Sequence, residues 1–190
     1  MAYSGVMDKA ETYEDITKQI AAVNEGETYW LARLSTAVCL LHNAFDDFFW
    51  TGFYMVDPDK PGELVVGPYQ GTLGCLRIPF GRGVCGAAAQ TGQTQVVEDV
   101  HAFPGHIACD AASESEIVVP VFDQGRLIGV LDIDSTQTGT FDQNDAAALE
   151  RIAPAPSAPP TCAVTDAYVW HTSPDRLAPA QTISRVPIEL

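Results

Sequence analysis

EIVVPVFDQGRLIGVLDI, residues 116 to 133, reads as two β-strands folded back on one another. Its two apolar, β-branched runs, Glu116 to Phe122 and Arg126 to Ile133, are separated by Asp123-Gln124-Gly125, residues suited to a tight reversal. The same pattern occurs upstream. FFWTGFYMVD (48–57) is aromatic and β-rich, DPDKPGE supplies Pro and Gly for a turn, and ELVVGPY (63–69) returns. Two shorter strands are expected at Leu76 to Phe80 and Gln95 to Glu98. Helical spacing marks four further segments. Thr12 to Asn24 carries Ile16, Ile20 and Val23 on one side, and Glu27 to Asn43 carries Leu31, Leu34, Val38 and Leu41. Val84 to Thr91 is short and Ala-rich, and Phe141 to Ala153 is amphipathic, with Asp142 and Asp145 where the helix dipole favours them. Hairpin-linked strands with helices grouped at the chain ends predict an α+β fold: an antiparallel sheet with helices packed mainly on one face.

The 190 residues suffice for one domain with a proper core, and we place it at 1–153. Seven of the thirteen prolines fall in the last 37 residues, so 154–190 is expected to be an extended or disordered tail, and its Cys162, Trp170 and His171 receive no chemistry. A formal charge of −15 with only ten basic residues argues against nucleic acid or an anionic membrane as partner. No apolar run approaches the ~20 residues that span a bilayer, and the N-terminus lacks the order of a secretory signal. A cytoplasmic location is therefore expected. Five cysteines in a reducing compartment point to transient rather than permanent disulfides.

Three of those thiols, Cys75, Cys85 and Cys109, flank a glycine-rich turn and a loop from Asp99 to Ser115 that is expected to lie over an opening. They are either packed thiols or the parts of a reductant cycle, in which one becomes a sulfenic acid and a second condenses with it. Cys85, at a helix start after GRGV, is expected to have a stabilised thiolate. Zinc held by the three thiols and His101 or His106 is a further possibility, although no C-x-x-C occurs. Cys39 and His42, in the second helix, read as a packed thiol and a solvated or capping histidine. Asp132 and Asp134 alternate with Ile133 and share a strand face, where with Glu116 they are either a solvated rim or a ligand site. Trp50 and Tyr54 also share a face, as core or as an apolar wall for a ligand.

GRGVCGAAAQTGQTQVVEDVHAFPGHIACDAASESEIVVPV (81–121), followed by GVLDIDS (129–135) and FDQND (141–145), resembles the free methionine-(R)-sulfoxide reductases, which are GAF-domain proteins. The resemblance covers about residues 10 to 153. It implies Cys109 as nucleophile, Cys75 as the partner that closes the disulfide and Cys85 as a third catalytic thiol. It also implies Glu116, Asp132 and Asp134 as acidic substrate-binding residues, and Trp50 and Tyr54 as the pocket for the substrate's methyl end. The implied substrate is the R epimer of free methionine sulfoxide, with thioredoxin as reductant, no bound cofactor or metal, homodimers common and a role in oxidative stress. Backbone N–H groups of the 105–109 loop are candidates for the substrate carboxylate. Cys75 and Cys109 should then have Cα atoms within about 7 Å when oxidised. Pro154 departs from the family by cutting the last helix short. A non-catalytic GAF sensor of a small ligand or redox state is the alternative from a different class.

Overall fold

Asp123 and Arg126 face each other across a two-residue loop in which Gln124 (φ 48°) and Gly125 (φ 80°) both have positive φ. That geometry matches the right-handed twist of the flanking strands. The strands are β5 (Ser115–Asp123) and β6 (Arg126–Ser135), in a computed structural model that describes residues 8–107 and 109–153. The tail expected over 154–190 lies outside the described residues.

The other hairpin is β1 (Trp50–Val56) and β2 (Glu63–Gln70), extended at its edge by β3 (Arg77–Pro79). The two hairpins join where β1 pairs with β6, from Trp50 opposite Asp134 to Met55 opposite Gly129. With β4 (Gln95–Val97) on β5, the six strands run in the order β3-β2-β1-β6-β5-β4, every neighbour antiparallel. This is the expected α+β, GAF-like architecture.

Helices α1 (Lys9–Val23), α2 (Trp30–Ala44) and α4 (Gln143–Ile152) cover one face of the sheet. Ile16, Leu34, Val38, Leu41 and Leu149 pack there on Phe53, Ile117, Leu131 and Ile133. Each such side chain contributes about 1.5–3 kcal/mol on leaving water. Among the described α-helices, the short α3 (Gly83–Thr91) is the one on the opposite face. Helix α2 starts at Trp30, later than its apolar period suggests, and the Glu27 carboxylate just upstream accepts the Tyr29 amide at 2.6 Å.

Two side chains of α2 correct the sequence reading. Cys39 is exposed, not packed, because Ala37, Val38 and Leu41 take the buried side of the helix. His42 is half-buried against β1, with Nδ1 3.4 Å from the Thr51 hydroxyl, and burial lowers its pKa.

At α4, Asp142 is the N-cap rather than a first-turn acid. Its side chain accepts the amides of Asn144 and Asp145, and Asp145 returns a bond from the Asp142 amide. Asp145 is buried and also accepts from Tyr13 Oη at 2.6 Å and Lys9 Nζ at 2.7 Å, tying α1 to α4. Asp145→Ala should therefore destabilise the domain by about 3 kcal/mol, read as a lower urea midpoint, because it strands a buried hydroxyl and opens the cap together.

Candidate active site

Side chains on alternate residues of a strand share a face, and antiparallel register sets them opposite one another. Trp50 and Tyr54 on β1 therefore stand beside Asp132 and Asp134 on β6, since Trp50 pairs with Asp134 and Gly52 with Asp132. Glu116 on β5 pairs with Asp134 and joins them from the other side. All five line one cleft on the α3 side of the sheet. Gly52 shapes the wall. A Cβ there would run into the Trp50 indole and the Tyr69 Cβ. Its absence lets the indole lie flat between Tyr54 and Tyr69, with ring centroids 5.6 and 5.3 Å away.

The floor is acidic and largely buried. Glu116 and Asp132 are buried, and Asp132 Oδ1 has no hydrogen-bond partner among the described residues. Burial raises all three carboxyls above the usual range. For Glu116 and Asp134 the Asp132 charge adds to it, while Asp132 itself is pushed up to about 6. Three carboxylates this close cannot all ionise cheaply, so the cluster holds protons at neutral pH. Burial beside Asp132 likewise keeps the Tyr54 phenol neutral.

Cys85 enters the floor from α3, with Sγ 3.8 Å from Glu116 Oε1. The sequence suggested a thiolate stabilised by the helix start. Instead, burial first and then the charges of Asp132 and Glu116 push this thiol well above its ordinary value. Full desolvation among acids outweighs one turn of helix dipole. Cys85 is a protonated thiol here.

The loop after β4 forms the lid. It opens with a 3₁₀ turn, Val100–Ala102, whose Val100 is fully buried and whose amide donates to the Glu114 carbonyl, so both ends of the loop are pinned. His106, Ile107, Cys109, Asp110 and Ser113 reach the cleft from it. Cys109 is exposed and bonded to half-buried Cys75, with Cα atoms 5.2 Å apart, inside the expected range. The lid and the segment after β2 are thereby linked across the cleft mouth. Of the backbone donors considered for a carboxylate, the His106 amide is already given to the Phe103 carbonyl, and Ala108 lies outside the described residues.

The zinc set considered from sequence is not assembled. Two of its thiols are consumed in the bridge, and His101 stands away from the cleft beside Glu114, 3.4 Å off. Among the described residues, the donor atoms that do converge are those of Cys85, Glu116 and Asp132, and of Asp99, His101 and Glu114. Sequence reasoning missed Arg82, the one Lys or Arg lining the cleft among the described residues, along with Asp110 and Ser113. The only signal for Arg82 was a lone basic residue within GRGVCG, which reads equally well as turn chemistry.

Arranged this way, the cleft offers a protonated carboxyl, buried negative charge, an aromatic wall and a thiol pair able to exchange two electrons. The chain matches the GAF domain family over residues 34 to 155. It is 49% identical to the free methionine-R-sulfoxide reductase of Escherichia coli over 146 residues, 77% of this chain and 87% of that protein. Against the enzyme of the same name from Saccharomyces cerevisiae it is 40% identical over 156 residues, 80% of this chain and 87% of that one. Among solved structures, the free methionine-R-sulfoxide reductase of Neisseria meningitidis in complex with its substrate superposes with a TM-score of 0.75 at 50% identity, covering 80% of this chain and 90% of that one.

Proposed function

Because the chain belongs to the GAF-domain family of free methionine-R-sulfoxide reductases, we propose that it reduces free methionine-R-sulfoxide to methionine by a thiol cycle on Cys109 and Cys75 that thioredoxin resets. It is an oxidoreductase. The observation that carries the cycle is the Cys75–Cys109 bridge at the mouth of a cleft floored by buried carboxyls.

A free amino acid brings an ammonium group that a residue within a peptide chain lacks. The carboxyl cluster suits it twice, with one ionised member pairing with the ammonium and one protonated member donating to the sulfoxide oxygen. Trp50 and Tyr54 take the methyl end against their rings. With its oxygen polarised, the sulfoxide sulfur accepts attack by the Cys109 thiolate. The protonated oxygen then passes from the sulfoxide sulfur to Cys109 Sγ: the S–O bond and the transient S–S bond made by the attack both break, the sulfoxide sulfur gains two electrons as methionine leaves, and Cys109 is left as a sulfenic acid with one proton taken up. The Cys75 thiol then attacks that sulfur, water departs, and the disulfide forms. A dithiol returns two electrons and two protons, and the exposed Cys109 half of the bridge gives it access. Cys85, protonated beside Glu116, holds a hydrogen-bonding place in the floor during these steps.

The test is NADPH oxidation coupled through thioredoxin reductase and thioredoxin, with the R and S epimers supplied separately. Consumption of the R epimer alone is expected. No turnover by the fully reduced protein, or equal use of both epimers, would overturn the reading.

A further inference from the structure

Thr72 holds two parts of the site at once. Its carbonyl accepts the Trp50 indole N–H at 3.0 Å, and its hydroxyl donates to Asp110 Oδ2 at 2.7 Å. The second oxygen of Asp110 accepts the Ala112 amide at 2.8 Å, which fixes the carboxylate within its own loop. Thr72 lies three residues before Cys75, and Asp110 directly follows Cys109. The Thr72–Asp110 bond therefore spans the same two segments as the disulfide, and it needs no covalent bond to exist.

We propose that Thr72 and Asp110 are positioning residues for the resolving step: a clasp that keeps the Cys75 segment against the Cys109 lid, so that a sulfenic acid on Cys109 meets its partner thiol. The inference rests on the thiol cycle proposed above. Holding two reacting groups in register raises their effective concentration, and a hydrogen bond to a carboxylate is among the stronger ways of doing so. Neither residue touches a reacting sulfur in this role. The first step, oxygen transfer to Cys109, does not depend on the clasp, whereas the second does. Thr72 is exposed and its Trp50 contact is made by the backbone, so Thr72→Val removes only the hydroxyl.

Fully reduced full-length protein is mixed with one equivalent of free methionine-R-sulfoxide. Methionine release, trapping of the Cys109 sulfenic acid by a 1,3-dione, and disulfide formation are followed separately. Thr72→Val should release its methionine at the wild-type rate while the disulfide forms about tenfold more slowly and the trapped adduct accumulates. Equilibrated against glutathione, its Cys75–Cys109 couple should be more oxidising by about 30 mV, the same tenfold factor for two electrons. Thr72→Ser should restore both. Wild-type disulfide kinetics and potential in Thr72→Val would overturn the clasp, as would equal slowing of methionine release. If wild-type protein releases no methionine, the thiol cycle itself fails, and the glutathione equilibrium still decides the clasp without substrate.

Discussion

Cys109→Ser should lose at least about three orders of magnitude in turnover, while Cys75→Ser should release one equivalent of methionine per protein and then stall. The two substitutions should differ because the proposed cycle gives the two sulfurs different jobs. Cys109 sits on the lid over the cleft and is exposed. A serine there cannot take up oxygen and become a sulfenic acid, so no electrons reach the substrate. Cys75 is bonded to Cys109 with Cα atoms 5.2 Å apart, and in the proposed cycle it contributes only after oxygen transfer. Without it the sulfenic acid persists, because Cys85 is buried in the floor as a protonated thiol and is not joined to the lid. Single-turnover methionine release, read beside steady-state NADPH oxidation, separates the two cases. A burst of methionine from Cys109→Ser would reassign the nucleophile. Sustained turnover by Cys75→Ser would move resolution to Cys85.

The second large effect joins activity to stability with opposite signs. Asp132→Asn should lower kcat/KM for the free R epimer by about a hundredfold or more, since it removes charge and proton control from the floor. In ligand-free protein the same change should stabilise the fold at pH 8. Burial raises the Asp132 carboxyl from its ordinary 3.8 to about 6. The folded state therefore binds more protons than the unfolded state between those values, and stability falls as pH rises through that window. The stability linked to this proton is fully present below pH 3.8 and is lost above about 6. Substitution by a neutral isostere removes that loss, a gain on the order of 2–3 kcal/mol at pH 8 that vanishes near pH 4. Urea midpoints at pH 4, 6 and 8 measure it. A Asp132→Asn protein that is less stable than wild type at pH 8 would show that the cluster is held by favourable hydrogen bonds rather than strained by charge.

That strain has a functional reading. Two buried acids, Glu116 and Asp132, beside part-buried Asp134, with an Asp132 oxygen that has no hydrogen-bond partner among the described residues, are a poor solution for the protein alone and a good one for a cationic ligand. A sensor of a small ligand has no need of the Cys75–Cys109 pair, and a sensor of redox state has no need of a floor of buried carboxyls beside it; the reductase reading uses both.

The order of elements was legible from local patterns, because turns and periodicity are local. Asp123-Gln124-Gly125 and DPDKPGE marked both hairpins, and the apolar spacing of α1, α2 and α4 marked the helices on one face. Errors arose where a neighbour in space decided the outcome. Cys39 was misplaced because one residue's rotation about α2 separates core from water. Cys85 was read from its helix, whereas its protonation is set first by burial and then by the charges of Asp132 and Glu116, on strands more than thirty residues away. By itself, the sequence determined that the chain is an antiparallel α+β fold and that Asp132 shares a strand face with Asp134, and Trp50 with Tyr54. It also determined which residue types the cleft holds. Only the tertiary structure decided that β1 pairs with β6 and so brings those two faces together, and that Thr72 reaches Asp110, while the Cys75–Cys109 bridge that the family resemblance implied is present in it. The reason is physical: periodicity fixes which way a side chain points, but register and loop closure fix what it points at.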